Sequence, residues 1–325
     1  METIFNKKII YSLACFVACL TLFLYLNRGS DNQPFLKKDA SIPAAQSNCP
    51  PPLLERNSEA VTENQPNAKK TVAIAKAFYE SKDLHAFAEM AKKRPEEGGI
   101  SYAFNAAYNC GLVRNIPEVK ADSSTYTKSV VALNNLRDRC KNFSDKEIST
   151  EGLGELAKLK KEKKDILLLV EGDYLRFSSE IKKGENTVSD GKRMQLLDQT
   201  AQLQDSQNFQ EQGLSLTLFK NGDKKSGYWI DGQPYFTESK KEIVSDAWAL
   251  ASCTIGNDCT GASIFLQASC ALNGQCFDNL ADYLKQVDYA NNPQGYADLI
   301  SVKDKIVNAI QNKDWRIQFR SATTC

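Results

Sequence analysis

The residues in this chain best suited to chemistry are its ten cysteines. Cys15 and Cys19 lie in an apolar segment, and the other eight are Cys49, Cys110, Cys140, Cys253, Cys259, Cys270, Cys276 and Cys325. The densest group is Cys253-x5-Cys259-x10-Cys270-x5-Cys276. Three chemistries compete for it. Two disulfides would tie a short helical hairpin that has little core of its own. A tetrathiolate zinc site would want two cysteines only two to four residues apart, so that one turn presents both sulfurs. Thiol redox catalysis normally uses Cys-x-x-Cys, a motif absent from this chain. The spacing favours disulfides, with all three pairings of the four cysteines open. Cys110 and Cys140 make a further candidate bridge. Cys49 and Cys325 are left to pair with each other or to reach another subunit.

Other catalytic chemistries are poorly supplied. His85 is the only histidine, so any Ser–His or Cys–His pair must use it, and metal sites built from several histidines are excluded. Without a companion motif it reads as a partly exposed helix residue. Walker A, G-x-G-x-x-G, G-x-S-x-G and H-E-x-x-H signatures are all missing. Acid pairs from distant parts of the chain can hydrolyse glycosidic bonds. Glu171 and Asp173 beside an apolar run, and Asp231 beside Trp229 and Tyr235, are the places to look, although turn acids are the favoured reading of both. Tyr228, Trp229, Tyr235 and Phe236 surround Asp231-Gly232 and are either a contact surface or the packing face of a hairpin. No catalytic residue, metal ligand or cofactor-binding residue is assigned, and no cofactor is expected.

These residues need a scaffold and a compartment. Lys7-Lys8 is followed by eighteen uncharged, mainly apolar residues, Ile9 to Leu26, then Asn27-Arg28. As a helix this run is about 27 Å long, close to the hydrocarbon thickness of a bilayer. A signal peptide would have a shorter apolar core and a small-residue cleavage site, which Asn27-Arg28-Gly29 does not supply. The expectation is a single uncleaved anchor, 9–26, with residues 1–8 cytoplasmic and the remainder exported to an oxidising space. Six of the ten prolines fall between Pro34 and Pro66, so 27–70 reads as an extended stalk. Residues 71–325 form the exported domain, with a subdivision possible near 145–235. Net charge is +1, so no global field favours nucleic acid. The basic run Lys158, Lys160, Lys161, Lys163, Lys164 reads as a solvated helix face.

The domain reads as mainly α, built of helical hairpins rather than a solenoid, with one small β-hairpin. Helical spacing places Val72, Ala75, Phe78 and Tyr79 on one helix and Leu84, Phe87, Ala88 and Ala91 on a second capped by Asp83. A third carries Ile100 to Cys110 and stops at Gly111. A fourth runs from about Ser124 to Phe143, and Ser144 with Glu147 has capping-box spacing for the next. Ile166 to Val170 suits a strand or one side of a helix, and Gly152-Leu153-Gly154 a bend. Met194, Leu197 and Ala201 suggest a helix ending before Gly213. LSLTLF, an Asn221-Gly222 turn and GYWIDG suggest the hairpin. Ser239 and Glu242 form a second capping-box pair ahead of Ile243, Ala247, Leu250 and Ala251. Ile264, Phe265, Ala268 and Leu272 make the next stripe, Asp278 caps a short helix, and Leu299, Val302, Ile306 and Ile310 line the last. Trp315 to Phe319 suits a terminal strand.

Two stretches carry a resemblance. One is Ser81-Lys-Asp-Leu-His-Ala-Phe with Gly98-Gly99-Ile-Ser-Tyr-Ala. The other is Ala247-Trp-Ala-Leu-Ala-Ser-Cys-Thr-Ile-Gly-Asn-Asp-Cys259, followed by Cys270 and Asn-Gly-Gln-Cys276. Together they resemble an uncharacterised group of exported, membrane-anchored proteobacterial proteins, over about a quarter of the chain. The resemblance implies the inner membrane and periplasm of a bacterium and brings no activity. The expectation is a non-enzymatic binding or assembly module with a membrane anchor and an envelope protein partner. The alternatives are an envelope hydrolase using paired acidic residues and, third, a thiol-active protein. A shallow apolar groove would favour the module, and a deep cleft with two facing carboxylates the hydrolase.

Overall fold

Apolar residues at three- and four-residue spacing dominate the chain, and the computed structural model is accordingly mainly helical. It describes residues 68–119, 125–168, 190–203, 206–220 and 226–315. The expected anchor at 9–26, Cys49, Glu171, Asp173 and Cys325 lie outside the described residues. Among the described residues no helix is long and apolar enough to cross a membrane.

The described helices, in chain order, are α1 (Ala68–Glu80), α2 (Leu84–Ala91), α3 (Gly99–Arg114), α4 (Tyr126–Cys140), α5 (Thr150–Glu162), α6 (Asp190–Leu203) and α7 (Ser206–Leu216). After a small sheet come α8 (Glu238–Ser252), α9 (Ile264–Asn273), α10 (Leu280–Tyr283) and α11 (Pro293–Asn312). A one-turn π-helix, Leu284–Asp288, continues α10. The helices pack around two apolar clusters and do not stack as a solenoid. The first unites α1 to α5 around Ile74, Phe78, Tyr102 and Leu136, and recruits Cys270 and Ala271 from α9. The second unites α6, α7, α8 and α11 around Phe209, Trp248, Leu299 and Trp315.

Local chemistry explains most helix ends. The Asp83 carboxylate accepts from the backbone N–H groups of His85 and Ala86 and caps α2 as its position predicts. Gly98 holds a left-handed conformation, φ 80°, at the entry to α3. Asp165 then caps α3 from a distance: its oxygens accept from Ile100 N, Ser101 N and Oγ, and its own neighbour Leu167 N. Burial pushes this carboxyl up, and the Ser101 and Leu167 donors oppose that push.

Several expected boundaries move. Gly111 does not end α3, which continues to Arg114; a Cβ at Gly111 would lie 3.3 Å from Ile148 O, so the glycine permits a close backbone approach inside the helix. Ser144 and Glu147 do exchange hydrogen bonds, but they close a turn, and Ser149 caps α5. Gly152 lies within α5 rather than at a bend, packed against the backbone of Lys146 and Glu147. Ile166–Leu168 is helical. Gly213 sits inside α7, because a Cβ there would meet the Trp248 ring. Thr237 rather than Ser239 caps α8, and Asn279 rather than Asp278 caps α10. On α9 the buried stripe is Leu266, Ser269, Cys270 and Ala271, whereas Phe265 is 55% exposed. Trp315 is buried beside Trp248 and is not in a strand.

The sheet has three antiparallel strands in the order β1 (Leu218–Lys220), β2 (Ser226–Ile230), β3 (Gln233–Tyr235). The first half of LSLTLF belongs to α7, so β1 is shorter than alternation suggests. Asp231-Gly232 forms a second turn, both residues with positive φ (51° and 74°), and folds β3 onto β2.

Candidate functional site

A groove of about 830 Å³ opens among the described residues. Helix α1 supplies Val72, Ala75 and Tyr79 to its lining, α4 supplies Asn135, Asp138 and Arg139, and the loop joining α8 to α9 supplies Ile255, Asp258 and Ala262. Disulfides hold that loop. Cys253 bonds Cys259 and Cys270 bonds Cys276, while Cys110 and Cys140 join α3 to α4. Of the three pairings of these four cysteines open in sequence, the one with both bridges local forms. Hydrogen bonds also dock the loop and the helix after it. Tyr79 Oη donates to Asn257 Oδ1 in the loop at 3.0 Å, and Ser129 Oγ donates to Cys270 O on α9 at 2.7 Å. Leu280 N donates to Cys259 O, and Gly261 N to Asp278 O.

Charges of both signs ring this groove, and its acids are already engaged. Glu80 pairs with Lys76 and Asp138 with Lys141. Asp258 Oδ1 accepts from Thr260 N and Oγ1. Arg139 is half-buried. Its Nη2 donates to Phe78 O and Tyr79 O at the carboxyl end of α1, where carbonyls and helix dipole favour a cation. Burial lowers the guanidinium's proton affinity, and the Asp258 charge opposes this.

A second, smaller groove of about 370 Å³ runs between α2 and α5. At its edge His85 Nε2 lies 3.0 Å from Glu147 Oε1. Glu89, one turn beyond His85 on α2, brings a third donor atom, and the three lie within 4.8 Å of one another. Glu147 Oε2 accepts from Ser144 N and Oγ, and these bonds outweigh desolvation to hold the Glu147 carboxyl below its usual range.

A third group lies in the other half of the domain. Tyr289 Oη donates to Asp246 Oδ2 at 2.8 Å. Burial, with repulsion from Asp288 and Glu242, pushes the Asp246 carboxyl up to about 6. Asp288 is also pushed up by desolvation and by Glu242, but it is surface-exposed and water screens much of that effect. Tyr289 is pushed up by burial and by the same acids.

The aromatic hairpin is not part of any of these groups. Asp231 is exposed in its turn and pairs with Lys305 Nζ at 3.1 Å. Trp229 packs edge-on against Phe236, and Tyr235 is half-buried over α8. Neither groove includes them. Sequence reasoning did not find Arg139, Asp246 or Tyr289, none of which lies in a motif. Glu147 was visible only as the partner of Ser144, and its approach to His85 spans 62 residues. Comparison with protein-family models, with curated proteins and with solved structures finds no match for this chain.

Proposed function

We propose that this protein is a membrane-anchored envelope module that binds a short extended segment of a partner protein in the groove between α1, α4 and the α8–α9 loop. The observation that carries this reading is the lining of that groove. Its floor is apolar, from Val72, Ala75, Tyr79 and Ile255, and its rims hold Lys76, Lys82, Glu80 and Asp138. A peptide offers the matching mixture of apolar side chains and charges of either sign. The volume lies within the range of about 300–1,000 Å³ typical of ligand sites. The apolar run at 9–26 and the cysteine usage support placement of the domain in the periplasm, held to the inner membrane by one N-terminal span.

Ala262 is an exposed lining residue, so Ala262→Trp fills the groove without entering a core. Random displayed peptides selected on the purified full chain should bind the parent, and calorimetry should show at least a tenfold loss with Ala262→Trp. Peptides that bind both proteins equally, or a selection yielding none, would remove the reading.

A second reading, an envelope hydrolase with paired acids, has one observation in its favour. Asp246 has the raised proton affinity of a general acid, with Asp288 and Glu242 near enough to repel it. Against this reading, the group lies outside both grooves described above.

A further inference from the structure

We infer that His85, Glu89 and Glu147 form a binding site for one divalent transition-metal ion of the zinc type. Residues four apart share a helix face, so α2 presents His85 and Glu89 together. The turn before α5 brings Glu147 to them across 62 residues. Two ligands held about 2.0–2.2 Å from a metal, at angles between octahedral and tetrahedral, lie about 3.0–3.4 Å from each other. The His85–Glu147 separation of 3.0 Å already matches one edge of such a polyhedron. Glu89 brings the third ligand atom, and the three atoms all lie within 4.8 Å of one another. Its carboxylate side chain is 48% exposed, so it is free to close on an ion.

The surroundings are those of a supported ligand set. Ser144 N and Oγ bind Glu147 Oε2 at 2.8 and 2.6 Å, which orients the carboxylate and leaves Oε1 for the ion. Phe143 packs at right angles to the His85 ring, centroids 5.1 Å apart, and fixes its plane. Lys92 Nζ is paired with Glu89, so a monovalent cation already occupies the place that a dication would compete for. The imidazole nitrogen argues against magnesium or calcium, which take oxygen ligands. The absence of sulfur from the set argues against copper(I). The His85 and Glu147 side chains are each about one-third exposed, which leaves coordination positions for water or a ligand oxygen.

The test is zinc titration of the full chain, disulfides intact and stripped with chelator, by calorimetry, with cobalt(II) as an optical substitute. One zinc per chain is expected, binding more weakly on acidification because the imidazole must lose its proton to ligate. His85→Asn and Glu147→Gln should each weaken binding at least tenfold, and Lys92→Met should strengthen it. Glu89→Gln, at an exposed position, gives the same reading should either of the first two fail to fold. The cobalt spectrum should lack a thiolate charge-transfer band. Zinc binding that is absent at millimolar concentration, unchanged in the variants, or accompanied by a thiolate band would overturn the site.

Discussion

Asp246 offers a quantitative check on the packing of the second cluster. Its carboxyl rises from 3.8 to about 6 in the folded protein. At about 1.36 kcal/mol per pH unit, the folded state prefers the neutral acid by about 3 kcal/mol. The groups responsible are Glu242 on α8, Asp288 on the π-turn and the buried surroundings, opposed by the Tyr289 hydroxyl. The folded chain holds this proton more tightly than the unfolded chain does. The associated stability is therefore fully present below about pH 4 and is lost as pH rises through about 6. Asp246→Asn keeps the shape and the acceptor for Tyr289 but cannot ionise. In urea titrations of the full chain, the variant's stability relative to the parent should rise by about 2.4 kcal/mol between pH 4 and pH 8. Asp83 and Glu147, whose carboxyls are held below their usual range, act in the opposite direction in both proteins and cancel in the difference. Tyr289→Phe removes the one donor that favours the carboxylate, so its deficit should grow over the same interval. A difference between Asp246→Asn and parent that is flat across this range would refute the burial and charge argument.

Two further outcomes follow from packing and chain connectivity. Gly213→Ala drives a methyl group into the Trp248 ring on the opposing helix and should cost about 1–3 kcal/mol, read as a lower urea midpoint with an unchanged slope. A rise in the midpoint would mean that α7 and α8 separate at little cost. Replacing Cys110 and Cys140 together by alanine releases a crosslink spanning 30 residues, and the closure-entropy relation assigns it about 3.6 kcal/mol. The same double change at Cys253 and Cys259 releases one spanning 6 residues and should cost about 2.2 kcal/mol. Equal losses would show that loop length does not set the order.

What could be read from the residues was whatever depends on near neighbours. The Asp83 cap and the Ser144–Glu147 exchange each need only a few residues to form. The buried stripe of α11, Leu299, Val302 and Ile306, follows from helical spacing alone. Helical class and the use of the cysteines as disulfide staples were legible on the same terms, whereas the expected Asn221-Gly222 turn lies outside the described residues. The errors were of another kind. Gly111, Gly152 and Gly213 look like breaks, since glycine frees the backbone, yet each lies inside a helix: Ile148 O crowds the first, the preceding Lys146–Glu147 turn the second and the Trp248 ring the third. Phe265 fits the apolar stripe of α9 by spacing, but the face that meets α4 is the one bearing Leu266 and Cys270. The groove joins helices 55 or more residues apart, Val72 on α1 with Asn135 on α4 and Ile255 beyond α8. The His85–Glu147 approach and the Asp246–Tyr289 bond likewise span 62 and 43 residues. The sequence by itself therefore determined the mainly helical class, where several helices begin, and that the cysteines suit disulfides, though not their pairing. Only the tertiary structure decided which polar groups meet and which faces are left open, because those depend on how separate helices bury their apolar stripes against one another.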